Sequence, residues 1–178
     1  MGNITPESFD NELRWQGLVR ASILSATTHK LYRYIQLADQ KAMALIVLNS
    51  ALIPFAMNAF QDSDLKVPAT LAIVTGIISI FMAIICIFPK RKGGSKPIGD
   101  RNLLHFGEIG VLTEEEFFAE FHKIYDDRGA LSKAVIKDIY DVSNRVLIPK
   151  FKLLKLCYVI FFVGNFAAVL SFLYQIWT

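Results

Sequence analysis

Apolar positions along this chain gather into three blocks: residues 42–60 (AMALIVLNSALIPFAMNAF), 69–88 (ATLAIVTGIISIFMAIICIF) and about 153–177 (LLKLCYVIFFVGNFAAVLSFLYQIW). A hydrocarbon core about 30 Å thick, crossed at about 1.5 Å per residue, needs roughly 20 helical residues. Each block meets that length. The first two contain no charged residue and the third only Lys155, near its start. A buried helix of a soluble protein of this length normally keeps a charged face. The pattern therefore predicts three transmembrane helices.

The segments between the blocks read as helix too. Between Pro6 and Pro54 there is no proline, so a helix capped by Thr5, with Pro6 at its first position, is predicted to run past Asp39 and Lys41 into the first block. Gly17, Ala21, Leu24, Thr28, Leu31, Ile35, Ala38 and Ala42 recur at alternating spacings of four and three, a seam suited to a close helix neighbour. After the second block, PKRKGGSKP is a flexible basic linker. Thr113 and Glu116 then form a capping-box pattern for a helix through about Asp126, with Phe117, Phe118, Phe121 and Ile124 on one face. A further helix from Ala130 carries Leu131, Val135, Ile139, Val142 and Val146, and Pro149 is expected to end or kink it. No strand-like alternation occurs. The expected fold is an all-α integral membrane protein with three transmembrane helices and a small cytoplasmic helical module. Its segments are an N-terminal helix over 1–40, spans over 41–60, 69–88 and 152–177, an external loop over 61–68, and the basic linker and helical module over 89–151.

Composition fits this reading, with 53% apolar residues and a net charge of +3 among 178 residues. The distribution of that charge orients the chain. Arg14, Arg20, Lys30, Arg33 and Lys41 precede the first span, and Lys90, Arg91, Lys92, Lys96 and Arg101 follow the second, whereas the first connection holds only Lys66 beside Asp62 and Asp64. The positive-inside rule then predicts a cytoplasmic N-terminus and second loop and an external C-terminus, with Tyr174 and Trp177 at the outer interface. A cleaved signal peptide is not expected, because the first 40 residues are polar and charged. Two cysteines, Cys86 and Cys157, imply no disulfide framework.

Polar residues at or inside the spans are the candidates for function. Asp39 and Lys41 sit where the N-terminal helix meets lipid, and residues two apart point to nearly opposite sides of a helix. Lys41 can snorkel to headgroups, whereas Asp39, beside anionic lipid, is expected to face a basic group on a neighbouring helix. Simple orientation signalling would explain Lys41 but not Asp39. Asn49 and Asn165 lie at comparable depth and are candidates for hydrogen bonding to each other or across an oligomer, as helix glue rather than pore lining. No charge occupies the bilayer centre, which disfavours ion coupling. His29, His105 and His122 are scattered outside any metal-ligand spacing, and neither a phosphate loop nor a nucleophile elbow is present. No enzyme, metal, cofactor or nucleic-acid polymer is expected.

The order of "ADQKA" before the first span, "NLLHFGEIGVLTEEEFFAEF" in the second loop and "KFKLLK" entering the last span resembles the transmembrane effectors of bacterial Pycsar antiphage defence, over residues from about 30 to 170. The resemblance implies a bacterial inner-membrane protein that answers cyclic UMP or cyclic CMP, made by a neighbouring cyclase, by impairing the membrane and killing the infected cell; a homo-oligomer is expected. A cyclic nucleotide needs donors for its phosphate and partners for its base. Arg101, Asn102 and His105 are the candidate cluster, Arg101 for the phosphate. The competing reading assigns Arg101 to the orientation signal and Asn102 to a helix cap. The alternative function is a non-enzymatic membrane scaffold that recruits a cytoplasmic partner through the phenylalanine face of residues 117–124.

Overall fold

The computed structural model describes residues 6–88, 97 and 101–177, so the Thr5 cap and most of the basic linker lie outside the described residues. The described chain is helical with no strand. It comprises α1 (Pro6–Ala59), a 3-10 turn (Ser63–Leu65), α2 (Lys66–Ile87), α3 (Phe106–Ile109), α4 (Glu114–Tyr125), α5 (Arg128–Asp141), a π-helical stretch (Val142–Leu147) and α6 (Ile148–Trp177). Two compact units share these elements, Met1–Arg33 with Arg91–Asn144 and Tyr34–Lys90 with Arg145–Thr178.

The second unit holds the three apolar stretches, on helices long and apolar enough to cross a membrane. Small residues bring these helices together. Ala38 and Ala42 of α1 meet Ala83 and Cys86 of α2 and Leu154 of α6 in one buried cluster, and Leu45, Cys157 and Phe161 form the next layer. Gly76 lies against Asn49 and Ile53 of α1, and a methyl built on Gly164 of α6 would collide with Thr75 of α2. Lipid tails are as apolar as leucine, so close packing rather than water exclusion holds such helices together. Large side chains, among them Phe55, Phe81, Phe162 and Phe166, project outward where lipid solvates them. Helix α2 begins at Lys66, placing Val67 and Pro68 in its first turn rather than in the connection. A proline fits there because first-turn N–H groups have no intrahelical acceptor.

Pro149 neither ends nor breaks the last helix. The chain instead widens into the π-helical stretch just before it and resumes as α6. A proline lacks the amide that would reach back four residues and its ring crowds that carbonyl, so a wider preceding turn relieves the conflict while helix continues.

In the first unit the capping box forms as spelled, with Glu116 N–H donating to Thr113 Oγ1 at 3.3 Å and Thr113 N–H to Glu116 Oε2 at 3.0 Å. Asp127 caps α5 by accepting from Gly129 N–H at 2.7 Å. Phe117 and Phe121 stack at 5.2 Å and are half-buried with Ile124. Phe118, expected on the same face, is 51% exposed. One residue is about 100° around a helix, so two adjacent phenylalanines cannot both face inward. The α5 stripe Leu131, Val135 and Ile139 turns inward as its spacing implies.

Replacing Gly164 by Leu forces α6 away from Thr75 of α2. The substitution is expected to cost about 1–3 kcal/mol, the range for overpacking a close interface, and to lower the unfolding midpoint of the detergent-solubilised protein, whereas Val163→Leu at an exposed position leaves it unchanged.

Candidate functional site

Two polar clusters stand out, one in each unit. In the second unit Lys150 Nζ lies 2.5 Å from Asp39 Oδ1, joining α6 to α1 where α1 enters its apolar stretch. The lysine side chain is only 11% exposed and the aspartate 32%. Lys41, two residues on, is exposed, and its backbone carbonyl accepts a 3.3 Å bond from the Tyr158 hydroxyl. Cys86 Sγ donates at 3.5 Å to the Lys150 carbonyl, so α2 closes on the same point.

Deeper in the bundle the Asn49 amide donates to the Leu45 carbonyl at 2.8 Å and to Ser79 Oγ of α2 at 3.3 Å, fully buried. Asn165 donates to the Phe161 carbonyl at 2.8 Å. Within one chain the two asparagines thus turn to different acceptors, one across to α2 and one back onto its own helix. In hydrocarbon a side-chain amide without an acceptor costs several kcal/mol, and the carbonyl four residues earlier is the nearest remedy.

The second cluster belongs to the first unit. Asn102 is buried; its Nδ2 donates to Asp138 Oδ1 at 3.0 Å and approaches Asp141 Oδ2 at 3.4 Å, while its Oδ1 accepts from Leu104 N–H at 3.1 Å. Asn102 therefore fixes the turn before α3 onto α5. His105 is the cap of α3, its Nδ1 accepting from Gly107 N–H at 3.2 Å, and its ring stacks on Phe106 at 5.1 Å. In the neutral ring that bond leaves the proton on Nε2. Arg101 is half-buried beside them. Glu108 is buried as well, and its Oε2 has no hydrogen-bond partner among the described residues. On α1, Tyr32 has its hydroxyl pKa raised above the ordinary value, first by partial burial and then by the negative charge of Asp138. His122 and Asp126, four apart on α4, are exposed and 4.0 Å from one another.

Sequence reasoning left out Lys150, Asp138, Asp141 and Glu108, and it noted Ser79 only as a mild polar and small residue of the second span, without pairing it to Asn49. Lys150 carried a signal, since it lies at the start of the last apolar block just as Asp39 precedes the first. The two aspartates carried none, because Asp138 and Asp141 look like ordinary solvent-facing residues until α5 is packed.

Three apolar helices that bury small and amide side chains among themselves and turn phenylalanines outward define a multi-pass, all-α membrane protein. The family model described as "Pycsar effector protein domain" matches residues 23–176. The chain belongs to that family, a family of membrane effectors with a role in antiphage defence. A curated relative, the Pycsar effector protein SaPycTM of Staphylococcus aureus, is 22% identical over 152 residues, covering 82% of this chain and 90% of the relative. No solved structure matches the chain.

Removing one partner of a buried ion pair strands the other. Asp39→Leu is expected to destabilise the protein in detergent by about 2 kcal/mol, and Asp39→Leu with Lys150→Leu by less than the two single changes added, a coupling of about 1 kcal/mol or more; strict additivity would show that the pair contributes no link. Asn102→Leu leaves Asp138 and Asp141 facing each other without that donor. Hydrogen exchange should report faster opening of α5, by about 1–3 kcal/mol, with protection of α2 and α6 unchanged.

Proposed function

We propose that this chain is a non-enzymatic membrane effector of a cyclic-nucleotide antiphage system, in which cyclic UMP or cyclic CMP made by a partner cyclase engages the first unit. The spanning helices then impair the bacterial inner membrane and bring about abortive infection. Family membership supports the effector role, and the relative's printed name is that of a Pycsar effector protein. The observation that carries the signalling step is helical continuity. The chain passes between its units at residues 33/34, 90/91 and 144/145; the first and last of these crossings lie inside helix, and the middle one falls outside the described residues. The last crossing is the π-helical stretch, a form enriched at functional positions in α-helices.

In this reading Arg101 holds the nucleotide phosphate and His105 Nε2–H contributes a donor, while Asn102 fixes the turn that presents them. The basic segments flanking the first two spans support a cytoplasmic first unit, which is where a soluble second messenger is found. Copies of the chain would meet along α1, where Trp15, Leu18, Val19 and Ile23 form an exposed apolar stripe at helical spacing. Moving a resting equilibrium from 1:99 to 99:1 takes about 5.5 kcal/mol of differential binding, which several sites in an oligomer can share.

Cells that produce the protein should admit a membrane-impermeant dye within minutes of cyclic UMP or cyclic CMP being supplied. Arg101→Ala should raise the nucleotide concentration for half-maximal entry about tenfold, the value of one charge-assisted hydrogen bond. Intact membranes at saturating nucleotide would overturn the reading, and a stable complex with a partner protein formed without dye entry would favour the scaffold.

A further inference from the structure

Asn165 is half-buried in the second unit, on α6 at the edge of a shallow groove that Leu52 of α1 shares with Phe161, Phe162, Phe166 and Val169 of α6. It stands ten residues after Lys155 and twelve before Trp177. At the usual rise these are about 15 and about 18 Å, so Asn165 lies near the middle of a hydrocarbon core about 30 Å thick. A carboxamide offers two N–H donors and an oxygen with two lone pairs. Asn165 Nδ2 donates once, to the Phe161 carbonyl at 2.8 Å, and among the described residues neither its other N–H nor its Oδ1 has a partner. Asn49, by contrast, is enclosed by α2 and uses Nδ2 twice, toward Leu45 and toward Ser79. One asparagine is held inside the chain; the other brings a spare donor and a spare acceptor to an open apolar groove.

Depth and hydrogen-bonding chemistry select the occupant. Acyl chains carry no donor or acceptor, and headgroups and water lie about 15 Å away, so only another protein helix brings a polar group to this level. A second carboxamide is the complement of the first, because two such groups exchange N–H···O bonds reciprocally. Copies of one chain inserted in the same direction share a symmetry axis along the membrane normal, which sets each residue at the depth of its counterpart. Asn165 of a second copy therefore arrives at the right level by symmetry alone. The walls suit the same occupant. Phe162, Phe166 and Val169 are each more than half exposed, and helices associate in lipid through van der Waals packing of such surfaces with polar side chains as the added link. We propose that this face of α6 is a contact between two copies of the chain within the bilayer, pinned by reciprocal hydrogen bonds between their Asn165 side chains. The contact is separate from the α1 stripe and needs no nucleotide, so its outcome is independent of the signalling reading.

The test uses the full-length protein with one fluorophore at its amino terminus, diluted to a series of densities in phosphatidylcholine vesicles without nucleotide, and counts the copies that stay together by their photobleaching steps. Two-step traces should dominate at high density. Asn165→Leu should need about tenfold more protein per lipid to reach the same paired fraction, the value of two hydrogen bonds between helices in lipid. Asn165→Gln, which keeps the carboxamide, should lose less, and Asn58→Leu, at the exposed end of α1, should match the native chain. Cysteine cross-linking gives a second reading that leaves Asn165 in place, with the buried Cys86 and Cys157 as its background. Under a membrane-permeant copper–phenanthroline oxidant, Val169→Cys in the groove should cross-link one copy to another, whereas Leu170→Cys, exposed about 100° farther round α6, should not. Single-step traces at every density, pairing of Asn165→Leu at the native density, or equal cross-linking in the Val169→Cys and Leu170→Cys variants would overturn the proposal. Cross-linking of Val169→Cys to a different membrane protein in cells, with none between copies, would assign the groove to another partner and overturn it as well.

Discussion

A bilayer interior supplies no hydrogen bonds, so every peptide group that enters it must be satisfied within its own helix, and every polar side chain must bring its own partner. The second unit meets the first demand with unbroken helices and the second, within one chain, at the Asn49 amide, one N–H of the Asn165 amide and the Thr75 hydroxyl. Helix α1 passes from polar to apolar sequence without a break, and α5 passes into α6 through a wider turn rather than a loop. Asn49 turns to Ser79 and to the Leu45 carbonyl, Asn165 to the Phe161 carbonyl and Thr75 to the Leu71 carbonyl. The constraint also explains which residues lie between the helices. Where water exclusion cannot drive association, glycine and alanine permit the close approach that van der Waals attraction requires, and phenylalanines are left to the lipid.

The Asp39–Lys150 pair marks the edge of that constraint. A charge pair buried in hydrocarbon rarely repays its desolvation, while one in open water contributes little. At the threshold the aspartate remains a third exposed and the lysine is nearly enclosed, so desolvation is partial and the attraction is only partly screened. Such a pair specifies which helices meet and in what register, more than it adds raw stability.

The first unit is organised by a different economy, in which short polar side chains hold turns that the apolar stripes alone would leave loose. Asn102 spans from its own turn to two aspartates of α5, His105 caps α3, Thr113 caps α4 and Asp127 caps α5. This density of caps suits short helices with little buried surface, since α3 has four residues and α4 twelve. It also places Arg101 and His105 on a turn whose geometry is held from below, which is what a binding residue on a loop needs.

How much of this was legible in the chain follows from the range of each interaction. The spans, the all-helical class and the capping box at Thr113 and Glu116 depend on residues within one helical turn or one bilayer thickness of each other, so their spacing alone discloses them. The helical form of the Pro149 region, the outward Phe118 and the early start of α2 depend on local geometry too fine for a hydrophobic pattern, since a pattern records which residues are apolar and not how a backbone relieves one clash. By itself the sequence determined that three helices cross lipid and that Asp39 needs a partner. Only the tertiary structure decided that the partner is Lys150, that Asn49 reaches Ser79 and that Asn102 binds Asp138 and Asp141, because each of these contacts joins residues 30 or more positions apart whose meeting depends on how whole helices pack.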